Sequence, residues 1–237
     1  MLFPSTSRAL AEPNGLLAAG GDLSPATLLD AYRRGIFPWF NEGDPILWWT
    51  PDPRAVLIPE ALYINRTLRK ALKKSVLKLS VNRAFDEVIR ACAAPRREQM
   101  GTWIHPDMIS AYATLHRRGF AHSFEIWSDD ELVGGLYGLR LGDIFFGESM
   151  FSRVPNASKI ALIALVHVST LTDIALIDCQ MPSEHLTSMG ACLLPRTEFE
   201  NILQQHIHTD SHALANQAKL DARRMEIAMP QWASQLL

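Results

Sequence analysis

The sequence predicts an α/β (α+β) fold for most of the chain, with a small loop-rich domain over residues 1–62 in front of it. Three observations predict this. Beyond about residue 64, helical and strand periodicities alternate along the chain. Three consecutive strand-like runs are separated only by turn residues, the pattern of an antiparallel meander. A long apolar helix then leads into a further strand, which gives at least one βαβ crossover. Residues 1–62, by contrast, are rich in proline and aromatics and show no period. The boundary is expected near Pro59 to Ile64, with 63–237 as the second domain.

In chain order, Ser24 suits a helix N-cap, Pro25 the first helical position and Gly35 the stop. Phe37-Pro38-Trp39-Phe40, Trp48-Trp49 and Pro51-Asp52-Pro53 break regular elements, so these aromatics belong on loops or edge strands. Residues 66–74 read as helix, 77–81 as strand, 83–93 as helix, and 106–118 as helix ending at Gly119. Strands are expected at 123–127, 131–139 and 143–150, with turns at Asp129-Asp130 and Leu141-Gly142. An apolar helix over 157–170, a strand over 175–181 and a helix over 196–208 complete the pattern. The tail carries His206, His208 and His212 in polar surroundings without a nearby Cys, and reads as a frayed terminus with no metal.

Of 237 residues, 48% are hydrophobic and 20% charged, which excludes a disordered chain. Lys and Arg number 23 against 25 Asp and Glu, so a uniformly basic nucleic-acid coat is excluded while a local patch is not. No apolar run reaches the ~18 residues of a membrane span, and no secretion-signal pattern opens the chain. Cys92, Cys179 and Cys192 lack metal-ligand spacing and read as reduced, buried thiols. A cytoplasmic protein without membrane contact is therefore expected.

Three features could carry chemistry. The run from Ile64 to Lys78 holds Arg66, Arg69, Lys70, Lys73, Lys74 and Lys78 and no acid. Helical spacing puts the first five on one face, a stripe about 12 Å long that is either solvated or docks a polyanion. Of the rings Phe37, Trp39, Phe40, Trp48 and Trp49, most should form the core of the small domain. One or two, and Trp103, are left to stack on a nucleobase. Finally, strand period puts Asp178 and Gln180 on one face of an otherwise apolar strand, and Glu148 is a third polar group in an apolar run. Such groups need hydrogen-bond partners, whether in a structural network or a site.

Taken in order, several segments resemble the bacterial leucyl/phenylalanyl-tRNA–protein transferase family. They are Glu12 to Leu17, Gly20 to Pro25, Tyr32 to Phe40, Pro45 to Trp49 and Pro51 to Arg54. Further matching segments are Gly101 to Ile104, Gly134 to Gly138, Phe146 to Ser152, Asn156 to Lys159, Leu176 to Gln180 and Pro195-Arg196. The resemblance spans about 12 to 200. It implies an acetyltransferase-like (GNAT-type) larger domain beside the small one. It also implies transfer of Leu or Phe from aminoacyl-tRNA to proteins with N-terminal Lys or Arg, which marks them for ATP-dependent proteolysis; an apolar pocket of this kind should tolerate Met as well. By the same resemblance, Trp39 and Trp103 handle the terminal adenosine, and Leu136, Met150, Leu162, Leu165 and Ile177 line the side-chain pocket. Glu148, Asp178 and Gln180 sit at the reacting centre. A monomer is expected. The chain departs from the family at Ser183, where members carry Asn, which removes one expected acceptor contact. It also departs at Ser169-Thr170, where members carry bulky apolar residues, which predicts a wider or partly polar pocket.

The chemistry implied needs no cofactor or metal, because aminoacyl-tRNA is already an activated ester. The attacking α-amine has an ordinary pKa of about 7.7–8.0 and must be bound neutral, aligned and relieved of a proton. A carboxamide accepts hydrogen bonds but is a very weak base, so Gln180 should orient the amine while Asp178 polarises it or relays the proton. Two alternatives stay open: an acetyl-CoA-dependent acetyltransferase, whose pyrophosphate loop is most nearly matched by His116 to Ala121, and a non-catalytic tRNA-binding protein.

Overall fold

The computed structural model describes residues 3–95, 102–207 and 227–228. Near the N-terminus, β1 (Leu16–Ala19), β2 (Phe37–Pro38) and β3 (Leu47–Trp49) form a three-stranded antiparallel sheet in the order β1-β3-β2. Helix α1 (Pro25–Arg33) connects the first two strands. Its cap is the expected one: Ser24 Oγ accepts from the Thr27 amide at 3.3 Å, and Gly35 follows the helix at a φ of +72°.

The remaining strands make one eight-stranded sheet. They are β4 (Arg54–Leu57), β5 (Lys78–Val81), β6 (Ala121–Ser128), β7 (Glu131–Leu141), β8 (Ile144–Ser152), β9 (Leu176–Gln180), β10 (Cys192–Leu194) and β11 (Ile227–Ala228). Their order is β10-β4-β9-β8-β7-β6-β5-β11. The expected meander is β6-β7-β8, and the expected crossover is β8–α5–β9, with α5 spanning Ala157–Thr172 and the two strands parallel. The other helices are α2 (Arg66–Lys74), α3 (Phe85–Ala93), α4 (Pro106–Arg117), α6 (Glu184–Thr187) and α7 (Arg196–His206).

Strand β4 departs from the sequence reading. Its residues fall in the stretch assigned to the small N-terminal domain, yet they pair with β10 on one side and β9 on the other. The reason is physical. All four residues are buried, so the run Arg-Ala-Val-Leu shows no alternation, and the prolines before it read as a break.

The two sheet faces bury different helices. One face packs under α1, α3, α4 and α7 through Leu28, Val88, Met108, Tyr137, Phe146 and Phe199. The other packs under α2 and α5 through Leu68, Leu72, Phe145, Leu162, Leu165 and Ile177. Adjacent residues on one strand therefore serve opposite layers, as Phe145 and Phe146 do. Helix α5 lies very close to the sheet: a Cβ on Gly134 would sit 2.4 Å from Ala157 Cβ, so only glycine fits there. No helix among the described residues is long and apolar enough to cross a membrane. Of the thiols, Cys92 is buried and Cys179 half-buried, whereas Cys192, expected in the interior, is exposed on edge strand β10.

Candidate active site

Strands β8 and β9 pair only over Ile144–Phe146 and Leu176–Asp178. Beyond that the ladder ends, and two bulges flank the opening. Between β7 and β8, Tyr137 faces Ser149 while Gly138 faces Gly147, which leaves Glu148 as the extra residue. Between β4 and β9, Ala55 faces Gln180 while Val56 faces Asp178, which leaves Cys179 as the extra residue. Bulges re-aim side chains where ladder pairing stops. The result is a cavity of about 1070 Å³ at the split, lined by residues of both sheet faces.

On the α5 side, the cavity is lined by Leu136, Met150, Leu162, Leu165 and Ile177, all five of the residues expected there. Ser169 does not widen this recess. It is absent from the lining, and its hydroxyl is bonded to the Leu165 carbonyl at 2.8 Å. Ser183 caps α6 by accepting from the Leu186 amide at 3.2 Å.

The opposite side is polar. Glu148 accepts from Tyr32 Oη at 2.6 Å, from Tyr112 Oη at 2.9 Å and from Gln180 Nε2 at 3.0 Å. The two tyrosine hydroxyls are themselves 2.5 Å apart. Protein closes around the carboxyl although the residue opens onto the cavity, and this desolvation pushes its pKa up to about 7. The tyrosine and glutamine hydrogen bonds pull the other way, and the charge of Asp178 adds to the rise. Burial beside this carboxylate pushes both tyrosines well above their ordinary range, so they act as donors.

Gln180 ends β9 at a φ of +61°, a strained conformation for a residue with a side chain. Two bonds hold it there: its amide N–H donates to Asp178 Oδ1 at 2.9 Å, and its Nε2 donates to Glu148. Its Oε1 is thereby left as the acceptor end of the carboxamide.

Asp178 is wholly buried and ion-paired. Arg54 Nε donates to its Oδ1 at 2.8 Å and Arg54 Nη2 to its Oδ2 at 2.7 Å, a bidentate pair with both side chains sealed from solvent. The guanidinium lies 4.9 Å from the Phe37 ring and 4.7 Å from the Phe199 ring, and Nη1 donates to the Gly35 carbonyl at 3.0 Å. One side chain thus ties β4, β9, the N-terminal region and α7 together.

Trp103 lines the cavity. Trp39 does not: it is 45% exposed, with its ring tilted against Trp49 at 5.7 Å. Phe37, Phe40 and Trp48 are core. On α2, Leu68 and Leu72 are buried while Arg66, Lys70, Lys73 and Lys74 are exposed and Arg69 is half-buried, so the basic stripe is the outer face of that helix. The segment from His116 to Ala121 forms no cradle. His116 stacks on Phe85 at 4.2 Å, and its Nδ1 bonds the Ala121 carbonyl at 2.8 Å. His206 lies 3.6 Å from Asp143, and His208 and His212 fall outside the described residues. Among the described residues, no cluster of His, Cys, Asp or Glu could hold a metal.

Sequence reasoning missed Arg54, Tyr32 and Tyr112. Arg54 carries a signal, a lone cation opening a short apolar run. The tyrosines carry none, since each sits at core spacing on its helix, Tyr32 with Leu28 and Tyr112 with Met108.

Two family descriptions match the chain: "Leucyl/phenylalanyl-tRNA protein transferase" over residues 56–204, and the N-terminal domain of the same family over 21–52. A leucyl/phenylalanyl-tRNA–protein transferase of Nitrosomonas eutropha is 60% identical over 201 residues, covering 85% of this chain and 86% of that one. The protein of the same name from Nitrosospira multiformis is 58% identical over 207 residues, covering 87% and 89%. Among solved structures, L-PGS from Bacillus licheniformis aligns with a TM-score of 0.41 at 12% identity, covering 84% of this chain and 62% of that one.

Proposed function

The chain belongs to the leucyl/phenylalanyl-tRNA–protein transferase family, and on that premise we propose that it moves Leu or Phe from aminoacyl-tRNA to the α-amine of proteins beginning with Lys or Arg. The observation that carries this reading is the juxtaposition of an apolar recess and a hydrogen-bonded carboxylate–carboxamide pair across the split between β8 and β9. The recess takes the donor side chain. It fits Leu and Phe, tolerates Met and rejects charged side chains, because a charge buried there finds no partner.

At the other end, Gln180 Oε1 accepts from the incoming amine and aligns it. Glu148, with a pKa of about 7, is matched to a neutral-pH proton acceptor. The amine nitrogen attacks the ester carbonyl, a new amide bond forms and the ester C–O bond breaks. The amine's proton passes through Glu148 to the departing ribose oxygen. Asp178, its oxygens held by Arg54 and the Gln180 amide, acts as a positioning residue that fixes the strained Gln180 backbone. Alignment of this kind supplies several kcal/mol of a barrier. Backbone N–H groups serve the tetrahedral oxyanion.

Trp103 stacks the terminal adenosine from inside the cavity, with Trp39 as the outer ring, and the α2 stripe of Arg66, Arg69, Lys70, Lys73 and Lys74 docks the acceptor stem. We further assign a GNAT-type fold to the large domain, with the protein acting as a cytoplasmic monomer that marks substrates for degradation.

The test is transfer of labelled Leu from tRNA to a peptide beginning with Arg, run without acetyl-CoA. Transfer is expected, falling with salt at a log–log slope of about 0.9 per phosphate neutralised, whereas Asp-tRNA gives none. Strict dependence on acetyl-CoA would overturn the assignment.

A further inference from the structure

One cation opens onto the cavity. Arg153, the residue after β8, is exposed, and it is the only Lys or Arg among the described residues that line the space. It stands on the α3 side of the sheet. Its neighbour Phe151 belongs to that layer, since a Cβ on Gly135 would sit 3.2 Å from the Phe151 ring and 3.4 Å from Val88 of α3. Ala91, Ala94 and Trp103 line the same wall.

The head of Arg153 is fixed. Its Nη1 donates to the Leu132 carbonyl at 2.8 Å, and the guanidinium lies 5.6 Å from the centre of the Phe151 ring. Its backbone amide donates to the Val133 carbonyl at 2.8 Å, so both ends are tied to β7. The other guanidinium N–H groups meet no acceptor among the described residues, and no carboxylate there pairs with them. Both carboxylates of the cavity are engaged elsewhere. Asp178 is held by Arg54, and Glu148 by Tyr32, Tyr112 and Gln180. A planar fork held in place, with open donors and no counter-charge, suits a phosphate or a carboxylate.

The two substrates divide this choice. The acceptor brings a cationic side chain, which like charge keeps away from Arg153. The donor brings phosphodiesters. With its ester at Glu148 and its base on Trp103, its terminal backbone follows the α3 wall. Glu148 and Arg153 are five residues apart, at most about 16 Å along a strand, so only the phosphates nearest the ester come within reach.

We propose that Arg153 binds a phosphodiester at the 3′ end of the donor, one of the two that precede the terminal adenosine. This rests on the aminoacyl-tRNA donor reading above. Arg153 anchors the donor strand and takes no part in the bond-making step.

The experiment titrates three unreactive donor analogues by calorimetry: 3′-phenylalanylamido-adenosine, its 5′-monophosphate, and the dinucleotide pCpA carrying the same amide. In the wild-type protein, either the first or the second added phosphate should tighten binding about tenfold, the scale of one hydrogen bond to a charged group. That phosphate should also steepen the log–log salt dependence by about 0.7, the single-strand value. Arg153→Met, which keeps an apolar stem over Phe151, should bind the nucleoside as the wild type does and lose both the gain and the added slope. Arg153→Lys, which keeps the charge without the fork, should retain part of each. If the wild type binds the nucleoside and neither phosphate adds affinity, the inference falls and the donor reading stands. A gain and slope that survive in Arg153→Met also overturn it, since another group then holds the phosphate. So does equal weakening of all three analogues, which would mean that Arg153 only shapes the cavity. If no analogue binds the wild type, the donor reading fails and takes the inference with it.

Discussion

The two walls of the cavity are built from neighbouring residues on the same strands and behave oppositely. Ile177 enters the apolar recess under α5, and Asp178, one residue on, is clamped by Arg54 on the other sheet face. Leu136 and Tyr137, and Met150 and Ser149, divide in the same way. The apolar wall offers only volume, so it discriminates coarsely and tolerates repacking. The polar wall is a chain of directed bonds from Arg54 to Asp178, to Gln180, to Glu148 and on to Tyr32 and Tyr112. Each member there fixes the next, so local changes should propagate along it. Specificity by size and control of a proton thus sit on opposite faces of one sheet, with the reacting atoms in the gap between.

The largest effect should come from breaking the buried pair. Asp178→Ala leaves Arg54 charged and unpaired in the core, which costs about 3–5 kcal/mol of stability, read by denaturant unfolding. The double variant Arg54→Met with Asp178→Leu removes both charges and should recover most of that loss. It should remain inactive in transfer, because Gln180 has lost the acceptor that holds its amide. A double variant that is both stable and active would show that the ion pair serves folding alone.

Glu148→Gln comes next. It keeps the shape of the polar wall but removes the proton acceptor, so transfer should fall by about a hundredfold or more. In the wild type the rate should rise with pH as Glu148 ionises near its pKa of about 7, and rise again as the acceptor amine loses its proton. The variant should keep only the second limb. An unchanged profile would move the proton to another group.

The contrast between the walls also explains what the sequence could disclose. The residues lining the apolar recess were legible through the family resemblance alone: Leu136, Met150 and Ile177 lie inside the matching segments, and Leu162 and Leu165 follow the Asn156 to Lys159 segment on the same helix. Asp178, Gln180 and Glu148 were visible as polar residues inside apolar strands, although what each bonds to was not. Arg54 was hidden because its strand lies after two prolines and is buried on both faces, so it showed neither period nor partner. Tyr32 and Tyr112 were hidden because a buried tyrosine follows the same helical spacing as a leucine, and only the fold brings residues 80 positions apart within hydrogen-bond range. Helix and strand limits were mostly legible, because capping residues and tight turns are local signals. Sheet order was not, since pairing β4 with β9 joins segments more than a hundred residues apart.

On the apolar wall the expected change is smaller and concerns choice rather than rate. Met150→Ala enlarges the recess by a flexible, half-buried side chain. Leu should lose about 1–3 kcal/mol of transition-state binding while a bulkier side chain such as Phe loses less, so the Phe-to-Leu ratio in competitive transfer should climb. The pH profile should not move, because nothing on the polar wall has changed. A shifted profile here would mean the two walls are coupled.

The smallest expected effect is the most diagnostic of the polar wall. Tyr32→Phe removes one donor to Glu148 Oε1 and leaves Tyr112 and Gln180 in place. A donor to a carboxylate favours its charged form, so removing it should raise the Glu148 pKa above about 7. The low-pH limb of the transfer rate should move to higher pH while the plateau stays the same. Stability should drop by about 1 kcal/mol from the lost bond. Its pH dependence follows from the raised pKa. Between the ordinary carboxyl value of 4.5 and about 7, the folded protein holds a proton that the unfolded chain has released, so stability falls as pH rises through that window and is level above it. The variant should extend the falling window upward. Glu148→Gln should abolish this slope. If Tyr32→Phe lowers the plateau and leaves the limb where it was, the tyrosine only packs, and the control of the proton lies with Gln180 and Tyr112.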